Sequence, residues 1–144
     1  MANVGFHTQY LKEAHNLVQE GKIMKATLLY MELAEMGLST AMLNAGLLLE
    51  KYNVFDSTKS FFAANVKHPS SPKQFNINKY LAFNYFKMAI NHHDTKEEAL
   101  IKLGDFYYYG LHPNHQGEEE SSSVKAAHIY KYVESNAKDP ELKG

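Results

Sequence analysis

The chain has 144 residues, of which 44% are hydrophobic and 22% charged, with a formal net charge of −1. That is enough apolar content to bury the core of one ordinary domain, and it excludes a disordered chain. The Lys and Arg residues are matched by acids and nowhere clustered, which excludes phosphate-driven nucleic-acid binding, and the longest apolar run, Ala45–Leu49, is far short of the roughly 20 residues of a membrane span.

Apolar residues recur at helical spacing from the start. Val4–Glu20 reads as a first helix, with Leu11, Ala14, Leu17 and Val18 on one face and Gly21 closing it. Lys22–Met36 reads as a second, with Ala26, Leu29, Tyr30, Leu33 and Ala34 on its face and Gly37 at its end. So short a turn between them makes a helical hairpin. Ser39 or Thr40 is the expected cap of a third helix through Tyr52, whose small and apolar positions are Ala41, Ala45, Gly46 and Leu49.

Periodicity then disappears over 53–77, where Pro69, Ser70, Ser71 and Pro72 mark an insertion. Phe55, Phe61, Phe62, Phe75 and Ile77 make it too apolar for a plain linker, so parts of it are expected to dock, with a short helix near Thr58–Asn65. A fourth helix is expected over Asn78–His92. The fifth starts at Asp94 or Thr95, with Glu97 and Glu98 at capping-box spacing from them. Its face is Ala99, Leu100, Leu103, Phe106 and Tyr107, it ends at Gly110, and it carries Gly104 inside. A mid-helix glycine costs about 1 kcal/mol relative to alanine. Something is therefore expected to approach Gly104 too closely for a side chain.

A second, polar insertion follows at 111–121, then a sixth helix capped within Ser121–Ser123 and reaching Ala137, and Asp139-Pro140 marks the start of a seventh. The helices repeat one another. Ala26, Leu29, Tyr30 and Leu33 fall 100 residues before Ala126, Ile129, Tyr130 and Val133; Tyr30 and Ala34 fall 55 before Tyr85 and Ala89; Ala41, Ala45 and Gly46 fall 58 before Ala99, Leu103 and Gly104. Self-similarity with loops of variable length marks an α-solenoid.

At these residues the chain resembles the Sel-one-like repeat family, relatives of tetratricopeptide repeats. The family's first-helix pattern, Ala-x-x-x-Leu-Gly-x-x-Tyr-x-x-Gly, is met by Ala99, Leu103, Gly104, Tyr107 and Gly110. Its second-helix pattern, Lys-Ala-x-x-x-Tyr with alanine or apolar positions after it, is met by Lys25, Ala26, Tyr30 and Ala34 and by Lys125, Ala126 and Tyr130. The middle pair departs, with Leu81 where alanine is wanted, and Ala41–Tyr52 has Ala45, Leu49 and Tyr52 in place of leucine, tyrosine and glycine. The resemblance implies an all-α, right-handed α-α superhelix of about three helical pairs, one domain over 1–144 and a fragment of a longer array.

The wording of Leu33–Ala45 and Ala99–Gly110 is most similar to family members that serve as adaptors in the ubiquitin ligase complex of the endoplasmic reticulum, which handles misfolded proteins. That resemblance implies a non-enzymatic adaptor in that compartment, with a membrane-anchored parent or partner compatible with it. A cytosolic or mitochondrial assembly subunit built from the same repeats is the alternative. The chain's own residues leave the compartment open. Cysteine is absent, there is no Asn-x-Ser/Thr acceptor, and Met1–Tyr10 lacks the basic start and apolar block of a secretory signal.

Few residues suggest chemistry. His92-His93 and His112-Pro-Asn-His115 lie in loops without the acidic or thiol companions that complete a zinc set, so no metal is expected. Glu118–Glu120 read as a solvated run and Ser121–Ser123 as caps; no phosphate-binding glycine loop occurs, and neither an enzyme nor a cofactor is expected. The aromatics point to proteins as partners. Tyr107, Tyr30, Tyr85 and Tyr130 sit at packing positions, whereas Tyr108 and Tyr109 point elsewhere, beside Lys102 and Asp105. Those four, with Asn44 and Leu48 of the third helix, are the expected partner contacts.

Overall fold

The computed structural model describes residues 2–55, 76–113 and 121–137. Within them are six α-helices and no strand: α1 (Ala2–Gln19), α2 (Ile23–Glu35), α3 (Ser39–Tyr52), α4 (Ile77–Ala89), α5 (Lys96–Tyr108) and α6 (Ser122–Ala137). Each helix packs on the one before it in the chain, and the broadest contacts are α3 on α4, α5 on α6 and α2 on α3. The short helix expected at Thr58–Asn65 and the helix start at Asp139 lie outside the described residues.

The glycine stops form as read. Gly21, Gly37 and Gly110 adopt φ of +79°, +99° and +67°, the left-handed region that glycine enters without a Cβ penalty. Behind each, two amides turn back onto the last helical carbonyls. Gly37 N donates to Ala34 O and Leu38 N to Leu33 O; Lys22 N reaches Leu17 O, and Leu111 N reaches Phe106 O. This is the Schellman closure, and it satisfies carbonyls that a helix end otherwise strands.

The N-terminal caps differ from expectation. α3 is preceded by Leu38, with no side-chain cap, because the Ser39 hydroxyl donates instead to both carboxylate oxygens of Asp94, at 2.9 and 2.7 Å. Asp94 is thereby spent on the α3 start, and its pKa is held down by that hydrogen bond first. Thr95 precedes α5 but makes no cap either; its buried hydroxyl donates to Ala89 O at 2.8 Å. The capping box therefore does not form, since both candidate caps face the end of α4 or the start of α3. Asn76 caps α4, accepting from Asn78 N and Lys79 N, so that helix starts one residue earlier than the sequence suggests; it also ends earlier, at Ala89.

Small residues bring the helices together. Ala14, Ala26, Ala34, Ala41, Ala45, Ala82, Ala89 and Ala99 are all fully buried, and one cluster joins them to Leu49, Phe83, Phe86, Leu103 and Phe106. Between α4 and α5 the rings interlock edge to face, Phe86 on Phe106 at 5.8 Å and Phe83 on Tyr107 at 5.8 Å. Such pairs contribute about 0.5–1.5 kcal/mol beyond the area they bury.

The glycines inside α3 and α5 prove to be points of contact. A Cβ on Gly46 would lie 2.6 Å from the Phe86 ring, and one on Gly104 would lie 2.7 Å from the Tyr130 ring. The same geometry thus occurs at α3 on α4 and at α5 on α6. It also shifts the alignment of the middle pair by one residue: the ring matching Tyr130 is Phe86, not Tyr85, and the alanine four before it is Ala82, not Leu81. Ala82 and Ala126 are both buried. Tyr85 and Ala89 remain core residues on the neighbouring positions.

Candidate protein-docking face

Three consecutive tyrosines stand at the end of α5, and the rotation of about 100° per residue separates their fates. Tyr107 turns inward against Phe83, while Tyr108 and Tyr109 stand 63% and 68% exposed. Their rings meet each other edge to face, with centroids 4.9 Å apart and planes at 84°. The helix ends there, with Tyr109 as its last cap position and Gly110 reversing the chain.

The other expected contact residues divide. Lys102 is half-buried and reaches Glu50 of α3 at 3.3 Å. Asp105 is half-buried as well, and its Oδ1 accepts the Tyr130 hydroxyl proton at 2.6 Å. Asn44 is half-buried and Leu48 only 8% exposed, so Leu48 belongs to the covered side of α3. The structure therefore gathers Asp105, Tyr108 and Tyr109 at the end of α5, commits Lys102 to Glu50, and leaves Leu48 out of reach of a partner.

Two ties here are not legible in the sequence. The Asp105–Tyr130 bond is hidden because Tyr130 reads there only as a packing ring, although an acid at the residue after Gly104 stands beside that ring once the glycine contact is known. Burial, then the neighbouring Asp105 carboxylate, raises the Tyr130 pKa above its ordinary value. The second is Tyr85, whose hydroxyl donates to Glu35 at 3.4 Å. Burial first, with Glu35 adding to it, pushes that phenol up to about 12. Both tyrosines stay neutral donors.

Of the histidine and serine candidates, His112 and Ser122 serve the loop after α5, while His93 lines the groove between α5 and α6. His112 is buried, its ring 4.7 Å from Tyr107, and its Nε2 lies 3.1 Å from Ser122 Oγ. Lys125 lies over the Tyr107 ring at 5.4 Å. This stack fastens the segment after α5 to the start of α6. Ser121 caps α6 through Val124 N at 3.3 Å. His115 and Glu118–Glu120 lie outside the described residues, among which no three His, Cys, Asp or Glu side chains converge on a metal position.

Two grooves remain. One, of about 220 Å³, runs between α5 and α6 over Leu100 and Val133, with Lys96 and Tyr132 beside it; it is below the roughly 300 Å³ of small-molecule sites. A wider, open one lies between α1 and α2, floored by Leu17, Leu28 and Leu29 and rimmed by Glu13, Lys25 and Glu32. No described helix is long and apolar enough to cross a membrane.

Comparison with known proteins adds no relative: no family model, curated protein or solved structure matches the chain.

Proposed function

We propose that the chain is a protein-binding scaffold of Sel-one-like repeats, an α-α superhelix without enzymatic activity, working as an adaptor in the ubiquitin ligase machinery of the endoplasmic reticulum. The observation that carries the binding role is the Tyr108–Tyr109 pair, two large rings left mostly in solvent at the end of a helix whose other aromatics are packed. Tyrosine gives large contact area with little rotamer freedom to lose, and contact residues of this kind dominate interface energetics. Serial packing of each helix on its predecessor and the repeated glycine-on-ring contact support the repeat architecture. The adaptor role rests on the wording of Leu33–Ala45 and Ala99–Gly110.

The test is affinity purification of the protein from its native cells beside Y108A/Y109A. Recovery of ubiquitin-ligase subunits by the native chain, and their loss with the double variant, is the expected result. Respiratory or signalling subunits in their place would assign the chain to a cytosolic or mitochondrial assembly, and identical recovery by both proteins would remove the tyrosine pair from the interface.

A further inference from the structure

The tyrosine pair has a chemical preference written beside it. Asp105 lies three and four residues before Tyr108 and Tyr109, the helical spacing at which side chains are neighbours. Its Oδ1 is held by Tyr130, a bond that fixes the carboxylate while leaving Oδ2 without a donor among the described residues. Lys102, three residues before Asp105, makes its ion pair with Glu50. Among the described residues no ion pair forms with Asp105, so its carboxylate has no cationic partner at the corner where the two rings stand.

The rings are uncompensated in the same sense. Elsewhere in the molecule lysines lie over aromatic faces: Lys51 over Tyr52, Lys87 over Phe83, Lys96 over Tyr132 and Lys125 over Tyr107. Among the described residues no lysine covers Tyr108 or Tyr109, which meet each other. In the sequence, the stretch from Leu103 to Val124 holds no Lys or Arg, while Asp105 and Glu118–Glu120 are four acids in a chain whose net charge is −1.

Building on the docking role proposed above, we infer that the Asp105–Tyr108–Tyr109 corner receives an arginine side chain of a basic segment in the partner protein, its guanidinium stacked on a tyrosine face and hydrogen-bonded to Asp105 Oδ2. Arginine suits the site better than lysine because its flat, weakly hydrated guanidinium can stack and donate at once. The rings supply the contact area and the carboxylate sets the direction.

The full chain titrated with hexa-arginine peptide in low salt, followed by backbone NMR and calorimetry, tests this. Saturable binding is expected, with shifts centred on 102–111, no binding of the uncharged isostere hexa-citrulline, and an affinity about tenfold weaker for Y108A/Y109A. D105N should weaken it as well, because asparagine still accepts the Tyr130 proton and keeps the fold while removing the charge. E118Q/E119Q/E120Q should lower the salt dependence and leave the shift pattern in place. Equal binding by native protein, Y108A/Y109A and D105N, loss only in the triple glutamine variant, equal binding of hexa-citrulline, or no saturable binding would each overturn the inference. If hexa-arginine fails while Y108A/Y109A still loses its cellular partner, the docking role stands and the cation preference falls. The reverse result removes the docking role and keeps the cation site.

Discussion

Gly46 and Gly104 occupy the same kind of contact, yet the rings above them differ in freedom. Phe86 is fully buried and backed edge-on by Phe106, whereas Tyr130 is half-exposed on α6, whose buried residues are Ala126 and Val133. A methyl at either position enters the ring's space, at 2.6 and 2.7 Å, against a helix-propensity gain of about 1 kcal/mol for alanine over glycine. G46A is expected to lower stability by about 1–3 kcal/mol, since Phe86 has nowhere to move. G104A should change it by less than about 1 kcal/mol, because the half-exposed Tyr130 ring can shift at the expense of lengthening its Asp105 bond while alanine gains helix propensity. Urea midpoints of the two variants check this, and a larger loss in G104A than in G46A would contradict it. Leucine at position 104 exceeds what Tyr130 can yield and should cost about 1–3 kcal/mol. The close approach at Gly104 is legible in the sequence because a glycine inside an otherwise good helix needs a cause. Which ring approaches is not, because at the equivalent contact Tyr85 and Phe86 are adjacent aromatics and periodicity cannot choose between them.

Between elements, polar side chains tie together residues that are distant in sequence. Asn78, 1% exposed at the start of α4, accepts from Phe55 N at 2.8 Å and donates to Phe55 O at 2.6 Å and to Asn53 Oδ1 at 3.2 Å. One carboxamide thus pairs with both backbone groups of a residue 23 positions earlier, much as a neighbouring strand would. N78A leaves those groups without their side-chain partner and is expected to cost about 2–3 kcal/mol, read as a lower chemical midpoint; an unchanged midpoint would mean that water replaces the amide fully. Helix existence and order are readable from apolar spacing and from the Gly21, Gly37 and Gly110 stops, because both signals are local. The Ser39–Asp94 bond and the Asn78 bonds join residues 55 and 23 apart. Their donors read in sequence as caps or as plain helix residues, so neither tie is visible there. The same holds for the docking corner, where Tyr108 and Tyr109 can be picked by helical phase but Asp105's tie to Tyr130 cannot.

At the scale of the molecule, burial is graded along the chain. α3 and α4 each bury seven residues, while α6 buries two and the core takes Ala14 from α1. Local opening follows local burial. Amide exchange is expected to be slowest in α3 and α4, intermediate in α2 and α5, and fastest in α1 and α6, with the docking corner at the edge of the protected region; uniform protection across all helices would show instead a single cooperative unit. The asparagine ties have one more consequence. Asn53, at φ +48°, together with Asn76 and Asn78, holds residues 53–55 against the start of α4. The chain leaves α3 and re-enters α4 through this gate, so sequence spliced between Phe55 and Asn76 is expected to leave the two helices in place, checked by an unchanged urea midpoint of the insertion variant. Doubling a loop costs only about 0.6 kcal/mol, which makes this gate a natural port for grafting a foreign peptide onto the scaffold.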